Sequence, residues 1–172
     1  MVKPLTFGAV FVCLVAVAAA RAHGDEWTTL QAEAKRLQSE QKYDRAAEVA
    51  RKAVDLAERT FGTEDPRVAR SLDTLAGLLS DLDRLDEAEP LFQRALTIRE
   101  TALGSDHLEV AHSLDNLAAL YADQGRYALA APLFKRSLAI REKALGPSHL
   151  EVAASLRDLA SVLVELGDYE TT

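Results

Sequence analysis

A 42-residue segment is repeated along this chain without a gap. Residues 65–85, 107–127 and 149–169 align at that spacing, and a fainter copy lies one period upstream. The aligned positions are Leu72, Leu114 and Leu156; Leu75, Leu117 and Leu159; Ala76, Ala118 and Ala160; and, in the fainter copy, Leu30, Ala34 and Leu37. A fixed period of about 20–50 residues is typical of solenoids, in which each unit buries its apolar face against its neighbours. Such a chain presents an extended surface and has little means to build a deep catalytic pocket.

The composition is that of a globular chain whose core contains few aromatic side chains. Hydrophobic residues make up 48% of the sequence and charged residues 27%, whereas aromatic residues make up only 6%. The core must therefore be built from leucine, alanine and valine, which suits close packing between helices. The net charge of -7 argues against a nucleic-acid partner held by phosphate contacts.

The first 22 residues have the layout of a secretory signal peptide. A short basic start at Lys3 is followed by an uncharged run from Leu5 to Ala20, and residues 18–20 and 20–22 both fit a small-x-small cleavage site. The run is short for a membrane span, which needs about 20 residues, although an uncleaved anchor remains the alternative. We therefore expect residues 1–22 to be a signal peptide and the chain to be exported, to the periplasm or the medium.

Cleavage would also remove the only cysteine. Cys13 lies inside the apolar run and does not follow the small residues of a lipoprotein signal. The mature chain would then have no disulfide, so its stability cannot come from cross-links.

Each 42-residue unit is predicted to form two helices. Asp65 and Pro66 suit a helix start, because aspartate caps free amides and proline is tolerated at the first helical position. Pro90 is placed in the first turn of its helix, and glycines 62, 104 and 146 suit helix ends. The predicted helices are 24–39, 44–60, 66–82, 86–102, 107–124, 128–144 and 149–166, and the predicted units are 23–64, 65–106, 107–148 and a partial 149–172.

This pattern resembles the tetratricopeptide repeat, in the 42-residue form found in kinesin light chains and many bacterial proteins. The residues that carry the resemblance in unit two are Leu72, Leu75, Ala76, Leu79, Leu85, Ala88, Phe92 and Ala95, with equivalents in the other units. Glu33 departs from the apolar preference at its position in unit one. The resemblance covers residues 23–169 and implies an all-α fold, a right-handed superhelical solenoid of antiparallel helix pairs.

The resemblance also implies a concave groove lined by the first helix of each unit. The family's groove positions correspond here to Arg70, Asp73, Asp81, His112, Asp115, Asn116, Asp123 and Arg157. These residues give the groove an acidic middle interrupted by arginine, which predicts a polypeptide partner with a basic segment. The equal alternative is that these polar side chains only solvate an exposed face.

No pattern in the sequence indicates catalysis or a cofactor. His107 and His149 lie in equivalent loops one full repeat apart, so we interpret them as helix-start residues and not as metal ligands. His23 would begin the mature chain and an amino-terminal histidine can bind copper, but no second histidine lies near it in sequence. We therefore expect no enzyme activity, no cofactor and no metal site.

Two functions remain open from the sequence. The first is an exported scaffold that binds a polypeptide in its groove without catalysis. The alternative is the repeat segment of a larger multidomain enzyme or sensor. Leu159, Val162, Leu163, Val164 and Leu166 are expected to lack a covering helix, which predicts either a longer array or a homodimer through the last helix.

Overall fold

Seven α-helices follow one another in the computed structural model, which describes residues 7–167 and, from residue 23 onward, their side chains. The helices are α1 (Phe7–Ser39), α2 (Tyr43–Phe61), α3 (Pro66–Asp81), α4 (Leu85–Leu103), α5 (Leu108–Asp123), α6 (Tyr127–Leu145) and α7 (Leu150–Glu165). No β-strand occurs between residues 7 and 167. Helices α2 to α7 begin and end within one residue of their predicted bounds, and the predicted all-α solenoid is confirmed.

Helix α1 starts much earlier than predicted. It begins at Phe7, whereas the sequence analysis placed its start at residue 24. No proline and no capping sequence interrupts the alanine-rich stretch between these points, so helix propensity carries the helix through it. Within the described residues, no helix meets the length and apolarity that a membrane span requires.

Consecutive helices form three hairpins, α1–α2, α3–α4 and α5–α6, and α7 packs on α6. Each hairpin is stacked on the next, because α2 contacts α3 and α4 contacts α5. Alanines 34, 76 and 118 are fully buried at the same position of the three first helices. Small side chains there allow the two helices of a unit to approach closely.

The predicted helix ends are confirmed. The Asp65 carboxylate accepts a hydrogen bond from the Arg67 amide at 2.9 Å, and Gly62, Gly104 and Gly146 cap α2, α4 and α6 with positive φ. His107 and His149 cap α5 and α7 as Asp65 caps α3. The Nδ1 atom of each histidine accepts a hydrogen bond from the backbone amide two residues later.

One local prediction is wrong. Pro90 is the sixth residue of α4 and so lies in the second turn, not the first, because the helix begins at Leu85. Proline at this position of the helix removes the backbone hydrogen bond to the carbonyl of Asp86. Both Pro90 and Asp86 are exposed, so that carbonyl lies on the solvent side of the helix.

The uncovered surface of α7 is also smaller than predicted. Leu159, Val162 and Leu163 are only 8%, 4% and 3% exposed, because α7 packs these side chains onto the preceding unit. The side chains that remain exposed form the open face of α7, which we define as Leu156, Val164 and Leu166. The expected start of a further helix, at 168–172, lies outside the described residues.

Candidate partner-binding groove

The first helices α1, α3, α5 and α7 leave two larger cavities along one side of the array, and a small one of about 100 Å³ that shares His112 with the first and Asp115 with the second. The proximal cavity, of about 710 Å³, lies between α1, α3 and α5. The distal cavity, of about 410 Å³, lies between α5 and α7 and includes Phe134 of α6. Asn116 lines both, so the two cavities form one continuous groove.

Six of the eight predicted groove residues line these cavities. The proximal cavity contains Arg70, Asp73, His112 and Asn116, and the distal cavity contains Asp115, Asn116 and Asp123. Asp81 and Arg157 line neither cavity. Asp81 instead accepts a hydrogen bond from the Gln38 amide at 2.7 Å, and Arg157 pairs with Asp158 on the surface.

A buried arginine, Arg99, lies beneath the proximal cavity and was not identified from the sequence. It comes from the second helix of unit two and is 4% exposed. Its Nη1 donates to Asp73 Oδ2 at 2.6 Å and to the hydroxyl of Ser113, and its Nε donates to Glu109 Oε2 at 3.2 Å. Asp73 belongs to unit two and the other two acceptors to unit three, so one guanidinium joins neighbouring repeats.

The same arrangement recurs 42 residues later around Arg141, which is 5% exposed. Its Nη2 lies 2.6 Å from Asp115 Oδ2, its Nη1 donates to Ser155 at 2.9 Å, and its Nε donates to Glu151 at 3.3 Å. Ser137, one turn earlier on α6, is a further acceptor for Nη1. We call Arg99 and Arg141, with these acceptors, the arginine clamps.

The clamps reduce the negative charge that was predicted for the middle of the groove. Asp73 and Asp115 each lie 2.6 Å from a buried guanidinium, so their negative charges are largely offset. Burial raises the pKa of Asp73 above its ordinary value, although Arg99 opposes that shift. Of the four predicted acidic residues, Asp81 and Asp123 form no ion pair among the described residues.

Sequence reasoning missed the clamps because arginine is seldom buried. A signal was present, since Ile98-Arg99-Glu100 recurs as Ile140-Arg141-Glu142 one period later. An arginine that recurs at a fixed period beside a buried isoleucine is better explained by a repeated structural contact than by solvation.

Units one and two are joined without an arginine clamp. Ala57 occupies the position equivalent to Arg99 and is fully buried. The Trp27 indole donates to Ser71 Oγ at 2.8 Å and the Gln31 amide donates to the same oxygen at 2.9 Å. Trp27 also packs edge-on against Phe61, with ring centroids 5.8 Å apart.

The described residues contain no group of three or more histidine, cysteine, aspartate or glutamate side chains placed to hold a metal ion. His107 and His149 use their ring nitrogens as helix caps, as described above. The charged, polar and small side chains along the groove support recognition by charge, hydrogen bonding and shape.

Comparison with known proteins agrees with this architecture. The family model described as tetratricopeptide repeat matches residues 30–101, 73–143 and 109–171. No curated protein sequence matches the chain.

Several solved structures share the fold. A putative kinesin light chain from Podosopora anserina, with nearly identical TPR-like repeats, is 25% identical over 85% of this chain and 69% of its own length, with a TM-score of 0.78. A second crystal structure of that protein, a point variant, is 25% identical over 87% of this chain and 70% of its own length, with a TM-score of 0.79. BtubC (BKLC) from P. vanneervenii is 23% identical over 84% of this chain and 57% of its own, with a TM-score of 0.76, and shows a shared fold.

Proposed function

This chain belongs to the tetratricopeptide repeat family, and on that premise we propose that it is an exported scaffold which binds a polypeptide segment in its concave groove. The fold is typical of protein–protein interaction scaffolds. The proposal assigns the chain no catalytic activity and no cofactor, and its net charge of -7 disfavours nucleic acid as the partner.

The observation that carries the proposal is the continuous groove. Two cavities meet at Asn116, and their walls combine charged side chains with small ones such as Ala32 and Ala119. Small residues leave room for a polypeptide main chain to approach the helices, while the polar side chains fix its position. The arginine clamps join α3 to α5 and α5 to α7, and Trp27 and Gln31 join α1 to α3. These junctions favour a groove that is formed without a partner.

Export is proposed from the uncharged run between Leu5 and Ala20 with its small-residue cleavage sites. Residues 1–22 are the proposed signal peptide, and residues 23–172 the proposed repeat domain. Cell fractionation tests this part. A chain lacking residues 1–22 should stay in the cytoplasm, while the full chain should appear outside it with a shortened amino terminus.

The groove is tested with a matched pair of substitutions. Ala119 is exposed inside the distal cavity, and Ala144 is exposed on the second helix α6, away from the cavities. Ala119→Arg should block the groove, whereas Ala144→Arg adds the same side chain elsewhere. Affinity capture from the exported fraction should lose its specific partner with the first variant and keep it with the second. Equal capture by both variants would contradict groove binding.

A second candidate function is favoured by the open face of α7. Leu156 is 48% exposed, whereas its equivalents Leu72 and Leu114 are 1% and 0% exposed beneath the second helices of their units. A further helix would cover Leu156 in the same way, and the chain would then be the repeat segment of a larger multidomain enzyme or sensor. A natural transcript whose reading frame continues beyond Thr172 with a helix-forming sequence would favour this candidate.

A further inference from the structure

The two cavities of the groove carry opposite charge. The proximal cavity is lined by three cations, Lys35, Arg70 and Arg99, and by two carboxylates, Asp73 and Glu109. The distal cavity is lined by three carboxylates, Asp115, Asp123 and Asp158, of which Asp115 is paired with the buried Arg141. One groove therefore changes from positive to negative within the distance of two first helices.

The contrast between the two cavities is sharper when only the charged side chains without an ion-pair partner inside the protein are considered. Both carboxylates of the proximal cavity bind Arg99, whereas Lys35 and Arg70 are exposed and have no ion pair among residues 23–167. In the distal cavity Asp123 is exposed and likewise has no ion pair among residues 23–167. Asp158 pairs only with Arg157, whose side chain is 76% exposed, and such surface pairs are weak.

The cavity walls also hold buried acceptors that lack a hydrogen-bond partner within the protein. In the proximal cavity these are Oε1 of Gln31, a residue only 8% exposed, and Oδ1 of Asp73, and in the distal cavity it is Oδ1 of Asp115. These three residues occupy equivalent positions in successive repeats. Buried polar atoms are normally paired, so these acceptors leave unused hydrogen-bonding capacity in both walls of the groove.

We propose that the groove binds its partner segment in one direction, with an acidic residue at Lys35 and Arg70 and a basic residue at Asp123 and Asp158. The inference rests on the proposed groove binding and specifies its partner chemistry. Neighbouring first helices at a packing distance of about 10 Å place the two sites about 20 Å apart. An extended segment spans that distance with about six residues.

The direction of binding can be measured with a designed peptide. The probe carries three glutamates, a spacer of about six glycine and serine residues, and three lysines. A nitroxide label at its acidic end should broaden the amide NMR signals around Lys35 and Gly77 of the ¹⁵N-labelled full chain. The same label at the basic end should broaden the signals around Ala119 and Ser161.

Matched variants test the residues involved. Lys35→Gln with Arg70→Gln should weaken the peptide about fivefold and remove the broadening caused by the acidic end, since exposed pairs are modest individually. Lys52→Gln is the control, because Lys52 is exposed on α2 and away from both cavities. Asp123→Asn should weaken binding of the basic end of the peptide, and Asp55→Asn on α2 is its control.

Two results would overturn the inference. One is broadening of the same amides by both labels, and the other is equal weakening by the groove variants and their controls. If either occurs while Ala119→Arg still abolishes capture of the natural partner, groove binding stands and only its direction is wrong. If Ala119→Arg has no effect, the proposed function itself fails.

Discussion

Neighbouring repeats in this molecule are joined in two different ways. Between units two and three, and again between units three and four, a buried arginine donates to a serine of the next unit. Between units one and two, Trp27 and Gln31 donate to the equivalent serine, Ser71, and Ala57 stands where the arginine would be. The serine is common to all three junctions and only its donors differ.

This difference shows what a junction between repeats requires. A buried hydroxyl needs a partner, because leaving it unpaired costs about 1–3 kcal/mol. The clamps meet that need with a charged group, which in turn requires Asp73 or Asp115 to neutralise it. The first junction meets it with an indole, whose apolar ring fills the remaining space against Phe61 and needs no counter-charge.

The largest effect is expected from removing a clamp. Arg99→Ala leaves the largely buried Asp73 without its counter-charge and Ser113 without its donor, and breaking a buried ion pair typically costs about 3–5 kcal/mol. Urea unfolding followed by circular dichroism measures the loss. Arg94→Ala is the control, because Arg94 lies on the same helix in an exposed pair with Glu58, and such pairs are worth about 0.2–1 kcal/mol. Equal losses in both variants would show that the clamp is not a structural junction.

Packing within a unit should not depend on how that unit is joined to the next. Ala34 and Ala118 occupy equivalent, fully buried positions in a unit joined by tryptophan and in one joined by arginine. Leucine at either position overpacks the contact between helices, at a cost of about 1–3 kcal/mol. Thermal melts of Ala34→Leu and Ala118→Leu should show similar losses. An unchanged melt for either variant would mean that its alanine does not lie at a close helix contact.

Removing only the indole donor should have a smaller effect. Trp27→Phe keeps an aromatic ring against Phe61, and Gln31 still donates to Ser71. The loss is that of one hydrogen bond, about 1 kcal/mol. Hydrogen exchange should show weaker protection in α1 to α4, the two units that share this junction, because a solenoid transmits such changes mainly to adjacent units. Loss of protection in α5 to α7 would indicate that the first junction controls the whole array.

The cost of losing Arg99 should also depend on pH. Burial raises the pKa of Asp73 in the folded chain, so its protonation favours folding at low pH, and that contribution is lost as the pH rises through the folded-state pKa. Removing Arg99 raises this pKa further, because Arg99 is the cation that lowers it. The stability difference between Arg99→Ala and the unmodified chain should therefore be smallest in acid and grow towards neutral pH. Urea midpoints measured across that range would contradict this if the difference stayed constant.

The sequence predicted the fold far better than the groove. Periodicity and caps such as Asp65 determine where six of the helices lie, because these signals act locally along the chain. The state of Asp73 could not be predicted from its own position, since its partner Arg99 lies 26 residues away and arginine is usually exposed. The charge of the groove depends on such pairs, so it emerged only from the packed structure.

Leu114 is covered and its equivalent Leu156 is exposed. These leucines are equivalent, and they are 0% and 48% exposed because α6 covers the first and no described helix covers the second. Exposed apolar surface is a typical interaction site, and we expect two copies to pair through the open face of α7 about a two-fold axis. Leu156→Lys with Leu166→Lys should give a monomer with almost unchanged stability, since both side chains are already exposed. Leu163 is unsuitable for this test because it is 3% exposed, and a lysine there would bury a charge. Analytical ultracentrifugation decides the question, and a soluble monomer of the unmodified chain at tens of micromolar would exclude the dimer.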